Sequence, residues 1–197
     1  MRDPGDSRDA PESRTIRDYL EDRRTLAPEA FRARHGGAFL VQAGSAAALR
    51  RPLRPQRTLV GETLEPAGPP APVGGPLPDS LVLALRRTER SPFRQFLSVG
   101  RTRNNDVVIA DVSVSKFHAF FNEEEGGALT LQDAGSRNGT FLNGAPVPPR
   151  GQGPAVRVES GEQIRFGDIA FLFYELPDFL DLLVRAAASS GRGVVEP

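Results

Sequence analysis

The 197-residue sequence contains no cysteine, which excludes disulfides, thiolate metal sites and cysteine nucleophiles. It has no run approaching the roughly 20 apolar residues needed to cross a bilayer. Its first twenty residues are charged rather than apolar, so no signal peptide is read and a cytoplasmic location is expected. Net charge is also missing: 25 basic residues balance 25 acidic ones. That balance gives no long-range field, so neither nucleic acid nor a membrane is expected as partner. Lysine is nearly absent, with Lys116 the single one and the other 24 basic residues arginine, the pattern of a GC-rich coding bias. Two histidines without cysteine do not point to zinc, and no metal or cofactor is expected.

What is present divides the chain. Hydrophobic residues make up 39 %, enough for a packed core, while 18 prolines and 20 glycines place much of the chain outside regular elements. Residues 1–12 are polar and aperiodic and read as a disordered tail. Over 13–43 a helix is expected from an N-cap at Ser13, with Ile16, Tyr19 and Leu20 on one face. A second helix starts near Pro28, buries Phe31 and stops at Gly36-Gly37, with His35 as a cationic partner of its C-terminal end. Ala38-Phe39-Leu40-Val41 then reads as a short buried strand. Residues 44–80 hold eight prolines and five glycines and read as a linker. Its stretch from Arg50 to Arg57 lacks the interleaved aromatics of a single-strand-binding arm.

From Leu81 short apolar runs recur about every ten residues between turn signals, the rhythm of an all-β sandwich. The runs are 81–86, 95–99, 107–109, 117–122, 128–133, 140–142, 155–159, 163–166 and 169–175. Leu129 and Leu131 alternate with Thr130 and Gln132, and Ile164 and Phe166 with Gln163 and Arg165. Glu123-Glu124-Glu125-Gly126-Gly127 reads as a solvated hairpin turn, and Asn138-Gly139 and Asn143-Gly144 as tight turns with positive φ. The fold class is mainly β over 81–176. A helix follows over 177–190, with Phe179, Leu180, Leu183, Val184 and Ala187 as its apolar stripe, and then a tail over 191–197.

Three polar clusters interrupt the strands: Gly100-Arg101-Thr102-Arg103-Asn104-Asn105-Asp106, Val114-Ser115-Lys116-Phe117-His118-Ala119, and Asp133 to Thr140 followed by Asn143-Gly144. They offer Arg101, Ser115, Lys116, Arg137 and Asn138, a set of cationic, hydroxyl and amide donors on loops of a rigid scaffold. A phosphorylated side chain calls for such a set, because it carries about −1.5 to −2 charge and three acceptor oxygens. Each charge-assisted hydrogen bond contributes about 1.5–3 kcal/mol. No Walker A loop occurs, so a nucleotide pocket is not indicated. A Ser115–His118–Asp133 triad lacks a nucleophile elbow, and no enzyme is expected.

The order Gly-Arg, Asn-Asp, Val-Ser-Lys-Phe-His-Ala, Asp-x-x-Ser-x-Asn-Gly-Thr-x-x-Asn-Gly and Gly-Glu-Gln-Ile-Arg-Phe-Gly resembles the forkhead-associated (FHA) domain over about residues 81–175. The resemblance implies a β-sandwich of about 11 strands whose loops bind a phosphothreonine peptide. It implies that Arg101 and Ser115 contact the phosphate, with Lys116 where the family usually has arginine or asparagine. Arg137 and Asn138 would touch the phosphothreonine or the adjoining peptide backbone. Gly100, His118, Gly139, Thr140 and Asn143 would hold the loops in shape. Phe117 stands where the family often has a polar or basic residue. Ser113 stands where some members place a basic residue that selects the third amino acid after the phosphothreonine.

The expected function is a signalling adaptor whose partner is a phosphothreonine protein, a Ser/Thr kinase or a kinase substrate. The competing reading is a phosphate-independent scaffold that assembles through a sheet face. Thr63, in Gly61-Glu62-Thr63-Leu64-Glu65, and Thr58 are candidate phosphorylation sites within reach of the binding loops.

Overall fold

A computed structural model describes residues 14–42 and 76–190. Thr58, Thr63, the two tails and most of the Pro/Gly-rich stretch lie outside them. Twelve strands and three helices are present among the described residues. They are β1 (Arg14–Thr15), α1 (Ile16–Thr25), α2 (Pro28–His35), β2 (Ala38–Gln42), β3 (Leu81–Ala84), β4 (Leu97–Gly100), β5 (Val107–Val108), β6 (Ala119–Glu123), β7 (Leu129–Asp133), β8 (Thr140–Leu142), β9 (Ala145–Pro146), β10 (Val156–Val158), β11 (Gln163–Phe166), β12 (Ile169–Glu175) and α3 (Leu176–Ser190).

The strands form two layers. One sheet has the order β1-β3-β2-β12-β11-β8-β9, the other β10-β7-β6-β4-β5. All pairings are antiparallel except β4 with β5. The core between the layers is built by alternation: Leu129 and Leu131 of β7, Ala119 and Phe121 of β6, Ile164 and Phe166 of β11, and Phe171 and Phe173 of β12 all point inward. The sandwich expected from the rhythm of apolar runs is therefore present, with nine of its strands falling on those runs.

The strand before the proline-rich stretch is part of this sandwich, inside the larger sheet between β3 and β12. Its residues are apolar on both faces, and the structure uses both: Ala38 and Leu40 enter the inter-sheet core, while Phe39 and Val41 enter a second core beneath the helices. That second core holds Ile16, Tyr19, Phe31, Val82, Phe179 and Leu183, so α1, α2 and α3 cover the outer face of the seven-stranded sheet. Residues 43–80 thus connect two neighbouring antiparallel strands rather than separating the helices from the sandwich.

Three local expectations shift. The N-cap of α1 is Thr15, whose N–H and hydroxyl both donate to Asp18 at 2.7 and 2.9 Å. Ser13 lies outside the described residues. On α3, Leu176 and Leu182 join Phe179 and Leu183 inside, while Val184 is 57 % exposed, because the line through 176, 179 and 183 faces the sheet. His35 is not a cationic end cap: it is buried against Tyr19 and Phe31 with ring centroids 5.0 and 4.6 Å away. Burial lowers its pKa, and nearby Arg14 adds to the effect against the opposing pull of Asp22.

Candidate functional site

Each polar cluster becomes a loop at one end of the sandwich, tied to its neighbours through the backbone. The first loop is held by Asn105, which is buried and whose Nδ2 donates to the carbonyls of Lys116 (2.7 Å) and Thr102 (2.9 Å). Asp106 anchors the loop's far end, taking hydrogen bonds from Ser98 N and Oγ and from Thr88 N at 2.7–2.9 Å. Burial pushes the Asp106 carboxyl upward, but these donors outweigh it and hold the pKa below the ordinary value. Gly100 is required sterically: a Cβ there would sit 2.3 Å from the Lys116 carbonyl oxygen.

The second loop is set by His118, which is fully buried. Ser115 N–H donates to its Nδ1 at 3.0 Å, and its Nε2 lies 3.1 Å from the Gly139 carbonyl oxygen. Acceptor on one side and donor on the other define the neutral imidazole. Burial lowers the pKa, with the Gly139 hydrogen bond and Asp133 opposing more weakly. Both ring nitrogens are thus committed to backbone groups, and no catalytic triad with the Ser115 hydroxyl is formed.

The third loop wraps around Asp133. Its carboxylate accepts from Gly135 N and Ser136 N, each at 2.8 Å, and from the hydroxyls of Ser136 and Thr140, each at 2.6 Å. Burial would raise its pKa, but these donors hold it below the usual carboxylate value. Gly139 turns the chain at φ 76°.

The loops meet in one cleft of about 360 Å³ lined by Arg101, Val112, Ser113, Val114, Ser115, Lys116, Phe117, Arg137 and Asn138. All five residues singled out as phosphate donors are in that lining. Arg101 N–H donates to the Ser115 carbonyl at 2.9 Å and its Nε to the Val114 carbonyl at 3.1 Å, which aims the guanidinium along the second loop. Ser115 Oγ accepts from Arg137 N–H at 3.0 Å, so its own proton is free to be donated. Asn138 Nδ2 donates to the Ser113 carbonyl at 2.7 Å, locking the third loop to the second. Among the described residues, no ion pair engages Arg101, Lys116 or Arg137, and no carboxylate lines the cleft. The result is a pocket with unneutralised positive charge and an available hydroxyl donor, suited to a compact anion.

Asn143 is not in the cleft. It sits at φ 49° in the β8–β9 turn and fastens β11 through its Oδ1, which accepts from Gln163 N at 2.9 Å. The Ser113 hydroxyl donates to Asp111 at 2.6 Å and accepts from Asp168 N at 3.0 Å, so it is fully used within the fold. Val112, 61 % exposed on the cleft wall, escaped the sequence reading because a lone valine in a polar turn carries no periodic signal. No group of three metal-ligating side chains occurs among the described residues, and none of their helices is long and apolar enough to cross a membrane.

The family model of the FHA domain matches residues 97–167. Over 103 residues the chain is 31 % identical to the glycogen accumulation regulator GarA of Mycolicibacterium smegmatis, covering 50 % of this chain and 61 % of that protein. It is also 31 % identical over 103 residues to the oxoglutarate dehydrogenase inhibitor of Corynebacterium glutamicum, covering 50 % of this chain and 67 % of that one. Among solved structures, it is similar to the N-terminal FHA domain of S. cerevisiae Rad53p in complex with a phosphothreonine peptide. That likeness has 25 % identity over 46 % of this chain and 77 % of the other, with a TM-score of 0.38. The chain spans about three-fifths of the length of the first curated relatives it matches.

Proposed function

The chain belongs to the FHA domain family, and from that premise we propose that it is a non-enzymatic adaptor that captures a phosphothreonine on a partner protein. The observation that carries this reading is the convergence of Arg101, Ser115, Lys116, Arg137 and Asn138 on one cleft that contains no carboxylate. In this reading Arg101 and Lys116 neutralise the dianion, and the Ser115 hydroxyl donates to a phosphate oxygen. Arg137 and Asn138 bracket the phosphorylated residue and the backbone beside it. His118, Asp133 and Asn105 act indirectly, by fixing the loops that carry those donors. Relatives named as a regulator of glycogen accumulation and as an inhibitor of an enzyme support a regulatory binding role. The partner fitting the site is a kinase-phosphorylated protein, either a Ser/Thr kinase itself or one of its substrates.

The test is an affinity measurement with phosphothreonine peptides against matched phosphoserine and unphosphorylated controls. Binding should require the phosphate, and Arg101→Ala should weaken it about 10- to 100-fold, as expected for one lost charge-assisted hydrogen bond. Equal binding of phosphorylated and unphosphorylated peptides would reject the proposal.

A further inference from the structure

Phe93, Phe96, Phe117 and Phe120 lie outside both hydrophobic cores and form a group of their own. Phe120 is on β6 between Ala119 and Phe121, which point into the sandwich, so it points out of the opposite face of the five-stranded sheet. Phe96 packs against it, tilted by 38°, at 4.6 Å between centroids. Phe117 and Phe93 complete the group, 4.9 Å from each other and 24° from parallel. Phe96 and Phe120 are buried, but Phe93 and Phe117 are only half-buried and end the stack at the surface. Phe117 is also part of the cleft lining, so the group of rings starts at the cleft and runs from there onto the outer sheet face. The helices cover the other sheet, and Phe93 comes from the loop between β3 and β4 rather than from a strand.

Resting on the phosphothreonine reading of the cleft, we infer that Phe117 and Phe93 form a ledge that receives an apolar side chain flanking the phosphothreonine of the same peptide. An extended peptide advances about 3.3 Å per residue, so a chain anchored by its phosphate passes the Phe117–Phe93 pair within about one to three residues. The ledge is flat and aromatic, and so takes an aliphatic or aromatic side chain rather than a charged one. The exposed guanidinium of Arg150, centred 5.9 Å from the Phe120 ring, further disfavours a basic residue there. Specificity from this ledge is separate from the Ser113 position, whose hydroxyl is consumed by Asp111 and Asp168.

The full chain is titrated with phosphothreonine peptides in which each of the three positions on either side is alanine or isoleucine. Isoleucine at one of these positions should improve affinity about four- to tenfold, the ratio for half-burying one such side chain. Phe93→Ala, at a residue outside both cores and outside the cleft lining, should reduce that ratio to about twofold or less while alanine peptides bind as before. Phe93→Leu, which keeps an apolar side chain at the same place, should retain part of the preference and control for a folding defect in Phe93→Ala. An isoleucine preference unchanged in Phe93→Ala, or phosphate-dependent binding with no apolar preference at all, overturns this inference and leaves the proposed function standing. Failure of every phosphothreonine peptide to bind overturns both.

Discussion

At the scale of single residues, the proposed binding groups and the groups that hold the loops are different side chains. Arg101, Lys116 and Arg137 are exposed and free of carboxylate partners among the described residues, as a site awaiting an anion should be. Gly100, Asn105 and Asp133 are the counterpart, spending their polar groups or their lack of a side chain on loop shape. Gly100→Ala should therefore cost stability in the range of about 1–3 kcal/mol, since the Lys116 carbonyl cannot recede without disturbing the loop. Chemical denaturation of the purified variant measures this, and a cost near zero would mean that the loop is looser than its contacts indicate. Ser115→Ala has the opposite signature. It should retain most of the stability and lose phosphopeptide affinity, because among the described residues the only bond that its hydroxyl accepts comes from the exposed Arg137 N–H.

At the scale of elements, two buried histidines set an acid limit. His118 joins the second loop to the third, and His35 fills the space between α1 and α2. Both have pKa values lowered by burial from an ordinary value of 6.5. The folded state therefore binds fewer protons than the unfolded state once pH falls below about 6.5. Their contribution is fully present above that value and is lost as the pH drops towards the lowered pKa. Melting temperature should be flat above about pH 7 and fall as the pH drops below about 6.5, with uptake of up to about two protons on unfolding. The lowered values of Asp106 and Asp133 add a second loss, below their ordinary 3.8. A melting temperature that rises on acidification from pH 7 to 5 would contradict the neutral, buried state of both rings.

At the scale of the whole molecule, the FHA family match and the folding unit have different limits. The match covers residues 97–167, whereas the larger sheet also needs β2, β3 and β12. Removing residues 1–75 would strip Phe39 and Leu40 from two cores at once and expose the edges of both β3 and β12. A fragment of 76–190 should be insoluble or melt without a cooperative transition, while the full chain melts cooperatively. Calorimetry distinguishes the two, and a cooperative, phosphopeptide-binding fragment would show β2 to be dispensable.

Short-range features were legible in the amino-acid order because they depend on near neighbours. Alternation in β7 and β11, the Gly126-Gly127 turn and the ordered series of Gly-Arg, Ser-Lys-Phe-His and Asn-Gly motifs all fall within a few positions of each other. They identified the sandwich and the five polar donors of the cleft lining, though not Val112. His35 and Val184 were misjudged for the complementary reason, since burial depends on which element is packed opposite, and nothing adjacent in the sequence encodes that. The chain order alone thus determined the number of layers, the turn positions and the inventory of cationic, hydroxyl and amide donors on the loops. Tertiary structure alone decided that those donors share one cleft, that Phe117 in its lining stacks with Phe93, and that a strand before the proline-rich stretch sits inside the sheet. The physical reason is range: strand pairing and side-chain packing join residues tens of positions apart, through contacts that a local pattern does not record.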